Sequence, residues 1–433
     1  MEALAYELNV ESARLAREVA DEITAQEPER PRFVGGSIGP TNRTASISPD
    51  VVDASKRNVT FDELEEAYHE ETRGLLDGGC DFIIIETIFD TLNAKAAIFA
   101  VKRLFKERGI TTMPLMISGT LVDQSGRTLS GQTTEAFYVS VRHAEPFCVG
   151  LNCALGAKQM RPFLQRLSKV AECFVSVYSN AGLPNAMGGY DDTPEDMARD
   201  NSVFIDEGLI NMIGGCCGST PEHIKAIAGA AEGVAPRPPR QRRPEMWLSG
   251  LEDLVVSKDR FQFLNVGERC NIAGSPLFKK LILAGDYAKA MDVAKKQVED
   301  GAMVIDVNMD EGLLDGLAAM QKFLKIAMTE VGGWVGDLRQ ERARAGLLGR
   351  RCFHPTLPLS LTAIYTHIRI QQPTAGGVEG AHHGGLLQVR DHRGGPQVGA
   401  GQVHRQLHLA EGMSAAPEII FASARLSVRS HMC

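Results

Sequence analysis

Six short runs of almost unbroken apolar residues recur between residues 1 and 232, each followed by a stretch with helical periodicity. The runs are Arg32-Phe33-Val34-Gly35-Gly36-Ser37-Ile38-Gly39, Asp81-Phe82-Ile83-Ile84-Ile85-Glu86, Pro114-Leu115-Met116-Ile117-Ser118, Phe147-Cys148-Val149-Gly150-Leu151, Cys173-Phe174-Val175-Ser176-Val177-Tyr178 and Leu209-Ile210-Asn211-Met212-Ile213. Strands that are apolar on both faces and separated by helices predict a parallel sheet with both faces covered. No glycine-rich dinucleotide fingerprint follows any strand. A (β/α)8 barrel of the TIM type is therefore favoured over a doubly wound sheet within the α/β class. The spacing predicts a first helix over residues 3–25 with Leu15, Val19 and Ile23 on one face. The capping box Thr60-Phe61-Asp62-Glu63 opens a second helix, and Ala97, Ile98, Val101, Leu104 and Phe105 mark a third. Thr193-Pro194 and Thr220-Pro221 are further helix starts, with threonine as cap and proline in the first turn.

In a barrel, functional groups gather at the C-terminal ends of the strands. Glu86, Ser118-Gly119-Thr120, Asn152-Cys153, Asn180 and Cys216-Cys217 all occupy such positions. Three thiolates, from Cys153, Cys216 and Cys217, can hold a zinc ion and leave one tetrahedral position open, which distinguishes a catalytic zinc site from a structural one. The competing reading is that each cysteine is a small core side chain. It suits Cys80, Cys148, Cys173 and Cys270, whereas the proposed ligands lie beside glycine or alanine where the chain can turn. A Cys216–Cys217 disulfide is disfavoured, because adjacent Cα atoms lie about 3.8 Å apart, too close for an unstrained bridge.

The 433-residue chain is 44% hydrophobic, contains no run of eighteen apolar residues and begins without the basic-then-apolar build of a secretory signal. These features predict a soluble chain with no membrane partner. Nine cysteines without framework spacing fit a reducing, cytoplasmic setting. The net charge of -8 divides unevenly: residues 331–433 hold eleven Arg, no Lys and six acids, a balance of +5, which leaves -13 for residues 1–330. An acidic body with dispersed tail arginines argues against a nucleic-acid partner.

Residues 235–244, Ala-Pro-Arg-Pro-Pro-Arg-Gln-Arg-Arg-Pro, read as an extended, solvated linker. Beyond it, Phe263-Leu264-Asn265-Val266-Gly267-Glu268-Arg269-Cys270-Asn271 and Gly301-Ala302-Met303-Val304-Ile305-Asp306-Val307-Asn308-Met309-Asp310 predict two strands. Between them lies a helix carrying Ala290, Val293, Ala294 and Val298.

Several segments carry a specific likeness: Gly39-Pro40-Thr41-Asn42, Ile85-Glu86-Thr87-Ile88-Phe89-Asp90, Ser118-Gly119-Thr120, the run Ser125-Gly126-Arg127-Thr128-Leu129-Ser130-Gly131-Gln132, Leu151-Asn152-Cys153-Ala154-Leu155-Gly156 and Gly214-Gly215-Cys216-Cys217-Gly218-Ser219-Thr220-Pro221. At these residues the chain resembles the homocysteine-binding barrel of cobalamin-dependent methionine synthases, and the likeness spans nearly all of residues 1–330. The resemblance implies zinc on Cys153, Cys216 and Cys217, which also serve as the catalytic set. It places the substrate homocysteine against Ser118 and Gly119, with Glu135 at its amino group. The alternative for Glu135 is a solvated carboxylate in the first turn of a helix. Residues 261–330 resemble the opening of that family's pterin-binding barrel, so Asn271, Asp306 and Asn308 would face methyltetrahydrofolate; the alternative is that Asp306 and Asn308 cap a strand end. The implied reaction moves a methyl group from methylcobalamin to the homocysteine thiol, giving methionine.

The sequence departs from that family in three places. Met1 falls within the helix expected after the second barrel strand, so about six of eight strands are expected, with the sheet open at Arg32-Phe33-Val34 and at Leu209-Ile210-Asn211. The likeness stops near Thr329-Glu330. The 103 residues after it hold eight of the eleven histidines and lack a repeated apolar face. The expected organisation is a barrel over 1–232, a linker over 233–260, a partial pterin-binding domain over 261–330 and a disordered non-family tail over 331–433 arising from an altered reading frame or retained intron. A cobalamin-binding module is expected to be absent. Two alternatives remain: a betaine- or S-methylmethionine-dependent homocysteine methyltransferase, and a non-catalytic zinc-binding fragment.

Overall fold

The computed structural model describes residues 4–122, 124–260, 263–312, 314–345, 363–367 and 419–422, the last residues from 331 onward by their backbone alone. Six parallel strands lie side by side in sequence order: β1 (Phe33–Ile38), β2 (Phe82–Ile88), β3 (Leu115–Gly119), β4 (Cys148–Asn152), β5 (Phe174–Ser179) and β6 (Met212–Gly215). Helices α1 (Ala5–Gln26), α2 (Phe61–Asp77), α3 (Thr91–Glu107), α4 (Thr134–Val141), α5 (Ala157–Val170), α6 (Pro194–Asp206) and α7 (Pro221–Ala231) link and cover them. The result is an α/β fold whose sheet curls as part of a TIM-like barrel.

Strand parity explains how this sheet builds a site. Residues two apart share a face. The face turned away from the main helix-packed core starts with an apolar layer of Phe33, Phe82, Ile84, Met116, Cys148, Phe174 and Met212. It continues through the small residues Gly35, Gly150 and Ser176. Toward the C-terminal ends it becomes polar, with Ser37, Glu86, Ser118, Asn152 and Tyr178. Gly150 pairs with Ser176 across β4 and β5, and a Cβ added there would lie 2.1 Å from the Ser176 hydroxyl and 2.5 Å from its carbonyl oxygen. Gly150→Ala is expected to cost about 1–3 kcal/mol through overpacking, seen as a lowered denaturant midpoint.

Four sequence expectations need correction. On α1, Leu15 and Val19 are 59% and 49% exposed. The helix instead buries Asn9, Ala13 and Ala20, because its small residues form the face that meets α2 and β1. The edge of β1 is not open: β12 (Ile419–Ala422) pairs with it in parallel, Phe33 opposite Ile419 and Gly36 opposite Ala422. The stretch 209–211 precedes β6 and is bonded to the linker, with the Arg237 N–H donating to the Ile210 carbonyl (3.0 Å) and Asn211 Nδ2 to the Arg237 carbonyl (2.6 Å). The linker itself is not simply solvated. Arg237 is 3% exposed, and its guanidinium donates to the carbonyls of Ser168 (3.0 Å), Ala171 (2.6 Å) and Cys173 (3.0 Å) and to the Ser168 hydroxyl (3.0 Å).

The linker then forms an antiparallel hairpin of β7 (Met246–Ser249) and β8 (Asp253–Val256). It docks on α4 through Ser249 Oγ donating to the Ala136 carbonyl (2.7 Å) and Gln132 Nε2 to the Gly250 carbonyl (2.8 Å). Beyond it come β9 (Val266–Asn271), α8 (Pro276–Leu283), α9 (Tyr287–Glu299), β10 (Val304–Asn308), α10 (Gly316–Ala345) and β11 (Ala363–His367). Strands β9, β10 and β11 make a three-stranded parallel sheet, and no closed second barrel forms among the described residues. Cys270, Phe278, Met291, Ile305, Val307 and Phe323 build a separate core. Arg57 joins the two regions, its Nη2 donating to the Lys325 carbonyl at 2.9 Å. Of the tail expected to be disordered, β11, β12 and the end of α10 have regular backbone; the remainder lies outside the described residues.

Candidate metal centre

The chain leaves β4 through two successive non-glycine residues with left-handed backbone, Cys153 at φ 60° and Ala154 at φ 57°. Such conformations store strain of order 1–3 kcal/mol each and are held only where the surroundings fix them. Here the Cys153 N–H donates to the Tyr178 carbonyl (3.2 Å), tying the turn to β5. On the other side of β5, Cys216 and Cys217 directly follow the end of β6. The Cys216 N–H donates to the Ser179 carbonyl (2.7 Å), the Cys217 N–H to Asn180 Oδ1 (3.2 Å), and the Cys217 carbonyl accepts from the Ala181 N–H (2.9 Å). Gly218, at φ 81°, turns the chain toward α7.

These turns bring three sulfurs together. Cys153 Sγ lies 3.6 Å from Cys217 Sγ, Cys216 Sγ lies 4.0 Å from Cys217 Sγ, and all three fall within 4.8 Å of one another. Tetrahedral zinc with bonds of about 2.3 Å spaces its sulfur ligands about 3.8 Å apart, and the 3.6 and 4.0 Å edges bracket that spacing. The separations are far too long for disulfides, and all three cysteines are half-buried and in the thiol form. The Cys216 thiol is pushed well up by its hydrogen bond with Cys153, by burial and by the neighbouring charges of Cys153, Cys217 and Glu86. Three thiolates therefore need a cation among them. The remaining cysteines behave as core: burial raises the thiols of Cys80, Cys173 and Cys270 to about 12 and that of Cys148 further.

A polar wall surrounds the cluster. Asn152, fully buried, is its centre: Oδ1 accepts from Ser118 Oγ (2.6 Å) and from the Thr87 N–H (3.0 Å), while Nδ2 donates to Thr87 Oγ1 (2.7 Å) and lies 4.0 Å from Cys216 Sγ. Thr87 sits at φ 56° to receive these bonds. Ser37 Oγ donates to Glu86 Oε1 at 2.6 Å. Sequence reading passed over Ser37, Thr87 and Tyr178. Ser37 and Tyr178 were detectable, because parity places them in the same polar layer as Glu86, Ser118 and Asn152.

The other expected site residues are placed less uniformly. Ser118 joins the wall, and Gly119 follows it at the end of β3 against the Phe137 ring. Glu135 is in the first turn of α4, where Oε1 accepts from Arg166 Nε at 2.6 Å and the buried Oε2 has no hydrogen-bond partner. No described contact ties it to the sulfurs. Asn271 and Asn308 stand side by side in the β9–β10 register. Each accepts from its own exit turn, Asn271 Oδ1 from the Ala273 N–H (2.9 Å) and Asn308 Oδ1 from the Asp310 N–H (2.7 Å). Asp306 is half-buried within β10.

A curled parallel sheet with three thiols converging beyond its strand ends defines an α/β scaffold of the barrel-enzyme class. The profile of the homocysteine S-methyltransferase family matches residues 1–231. The chain belongs to that family and is a methyltransferase by class. A second profile, described as pterin binding enzyme, matches residues 267–334, a match that runs past the expected boundary at Glu330 into the later turns of α10. Among solved structures, the homocysteine methyltransferase MmuM from Escherichia coli is similar. Its apo form is 20% identical with TM-score 0.39, covering 53% of this chain and 74% of that one. Its metallated form is 21% identical with TM-score 0.38, covering 52% and 71%, and its oxidized form 21% with 0.41, covering 53% and 72%. No helix among the described residues is long and apolar enough to cross a membrane.

Proposed function

We propose that Cys153, Cys216 and Cys217 hold zinc and that homocysteine is the methyl acceptor, in the manner of cobalamin-dependent methionine synthases. The observation that carries this reading is the convergence of three cysteine sulfurs, 3.6 and 4.0 Å apart along two edges, within the family's matched residues. Zinc bound there supplies a Lewis acid that keeps the homocysteine sulfur as a thiolate at neutral pH. The chain's own part is to position that sulfur. The Ser118–Asn152–Thr87 network holds the wall beside Cys216, and Glu135 would receive the substrate's ammonium group in exchange for Arg166. In the transfer, the thiol proton is lost first, the sulfur–methyl bond forms, and the bond from methyl to its donor breaks with its electron pair leaving on the donor.

Methylcobalamin is the proposed donor, supplied from outside residues 1–330. The pterin-binding match on the same chain favours it over betaine or S-methylmethionine, because methyltetrahydrofolate is the natural companion of a cobalamin carrier. Asn271, Asp306 and Asn308 would line the pterin site. Seven cysteines without a disulfide among the described residues suit a reducing cytoplasm. Zinc content near one per chain is expected, with X-ray absorption reporting three sulfur neighbours that become four when homocysteine is added. An unchanged sulfur count on saturation with homocysteine would refute the acceptor site. Labelled methyl transfer from methylcobalamin, but not from betaine or S-methylmethionine, would identify the donor line; the reverse pattern would exclude it.

A further inference from the structure

We propose that Glu252, in the linker hairpin, is a positioning residue of the acceptor site, acting through Arg127 on the loop between β3 and α4. The inference rests on the homocysteine reading above and extends its machinery beyond residue 231, where the family match ends. The loop stands on the exit of β2. At its start the Thr120 N–H donates to the Ile88 carbonyl (2.9 Å), and further along both the N–H and the hydroxyl of Ser130 donate to the Phe89 carbonyl (3.2 Å each). These carbonyls directly follow Thr87, the residue at φ 56° whose N–H and hydroxyl engage Asn152 beside Cys216. A non-glycine residue keeps that conformation only where its surroundings fix it. The loop's three bonds supply part of that constraint.

The outer side of the loop is held by the linker. The Thr133 N–H donates to the Leu251 carbonyl (2.9 Å), Gln132 Nε2 donates to the Gly250 carbonyl (2.8 Å), and Arg127 Nη2 donates to Glu252 Oε1. Three consecutive hairpin residues thus grip three residues of the loop. Arg127 Nη1 meanwhile donates to the Gly131 carbonyl at 2.8 Å, so one guanidinium ties the loop to itself and to the hairpin. Both charged partners are half-buried, where a charge-assisted bond is stronger than on an open surface. The thiols are fixed separately, through the backbone bonds of Cys153 and Cys216 to Tyr178 and Ser179 and that of Cys217 to Asn180. The brace therefore bears on the side of the site where Ser118 and Gly119 meet the substrate, and not on the metal.

In the full chain loaded with zinc, Glu252→Ala is expected to weaken homocysteine binding about fivefold by calorimetry, within the range for changes that act on a ligand without touching it. Zinc affinity by chelator competition should stay as in the wild type. Arg127→Ala should give the same loss, and the double variant no more than either alone. Glu252→Gln, whose amide oxygen still accepts from Arg127, should recover most of the affinity. Wild-type homocysteine affinity in Glu252→Ala, or equal losses of zinc and homocysteine affinity, would overturn the role of Glu252 and leave the acceptor site standing. Wild-type zinc protein that does not bind homocysteine would overturn both.

Discussion

Cys216→Ala protein is expected to purify without zinc, while Cys148→Ala protein keeps about one ion per chain. The two thiols belong to different strands and lie at opposite ends of the sheet. Cys148 begins β4 in the apolar layer, fully buried against Phe82, Ile84 and Met116. Cys216 follows the last residue of β6 and lies 4.0 Å from Cys217 Sγ. Its removal leaves two protein sulfurs for an ion that prefers four ligands. Losing an outer-sphere partner alone costs roughly 10–100-fold in affinity, so loss of a direct ligand should exceed about 100-fold. Elemental analysis of both variants, with circular dichroism to verify folding, is the measurement. Full zinc content in Cys216→Ala would remove the site assignment.

The largest effect on stability is expected far from the thiols, at Arg237→Ala. Among the described residues this guanidinium has no carboxylate partner; it is satisfied by three carbonyls and a hydroxyl at the end of α5 and the start of β5. Truncation leaves the carbonyl oxygens of Ala171 and Cys173 facing a void, while the Ser168 carbonyl keeps Arg240 Nε as a donor at 3.1 Å. An unsatisfied buried acceptor costs about 1–3 kcal/mol, so a loss of about 3 kcal/mol or more is expected in urea unfolding. Lysine would not rescue it, since a single ammonium cannot span the fork of acceptors. A change below about 1 kcal/mol would mean that the linker is not anchored there.

The same arginine shows why parts of the molecule were illegible in the sequence. Proline and like charge in residues 235–244 signal an extended strap, and the strap is extended. What composition does not carry is that two of its four arginines, Arg237 and Arg240, meet a cluster of outward-facing carbonyls, which exists only once α5 and β5 are in place. The six strands were legible because burial on both faces writes itself as an unbroken apolar run. The start of β6 was misplaced because Leu209 and Ile210 are apolar for a different reason, the closing of the turn after α6. Helix α8 went unread, since Pro276 to Leu283 is only eight residues long, too short for its period to stand out. The three cysteines could be chosen from sequence because each ends a strand next to a tight turn. Glu252 could not, because its approach to Arg127 depends on the path of the linker, which has no periodicity. The pairing of β1 with Ile419–Ala422 spans nearly four hundred residues and has no local signature beyond an apolar patch.

Cys153 follows β4 and the Cys216–Cys217 pair follows β6, so the three sulfurs straddle β5. An ion held by all three would act as a stitch across the sheet, joining one of its two edge strands to one well inside it. β6 has only one strand neighbour among the described residues and four residues of its own, so it is held less firmly than the strands inside the sheet, as is β12 at the opposite edge. Metal occupancy and the integrity of that border then become a single equilibrium, in which stripping the ion frees a strand and fraying the strand releases the ion.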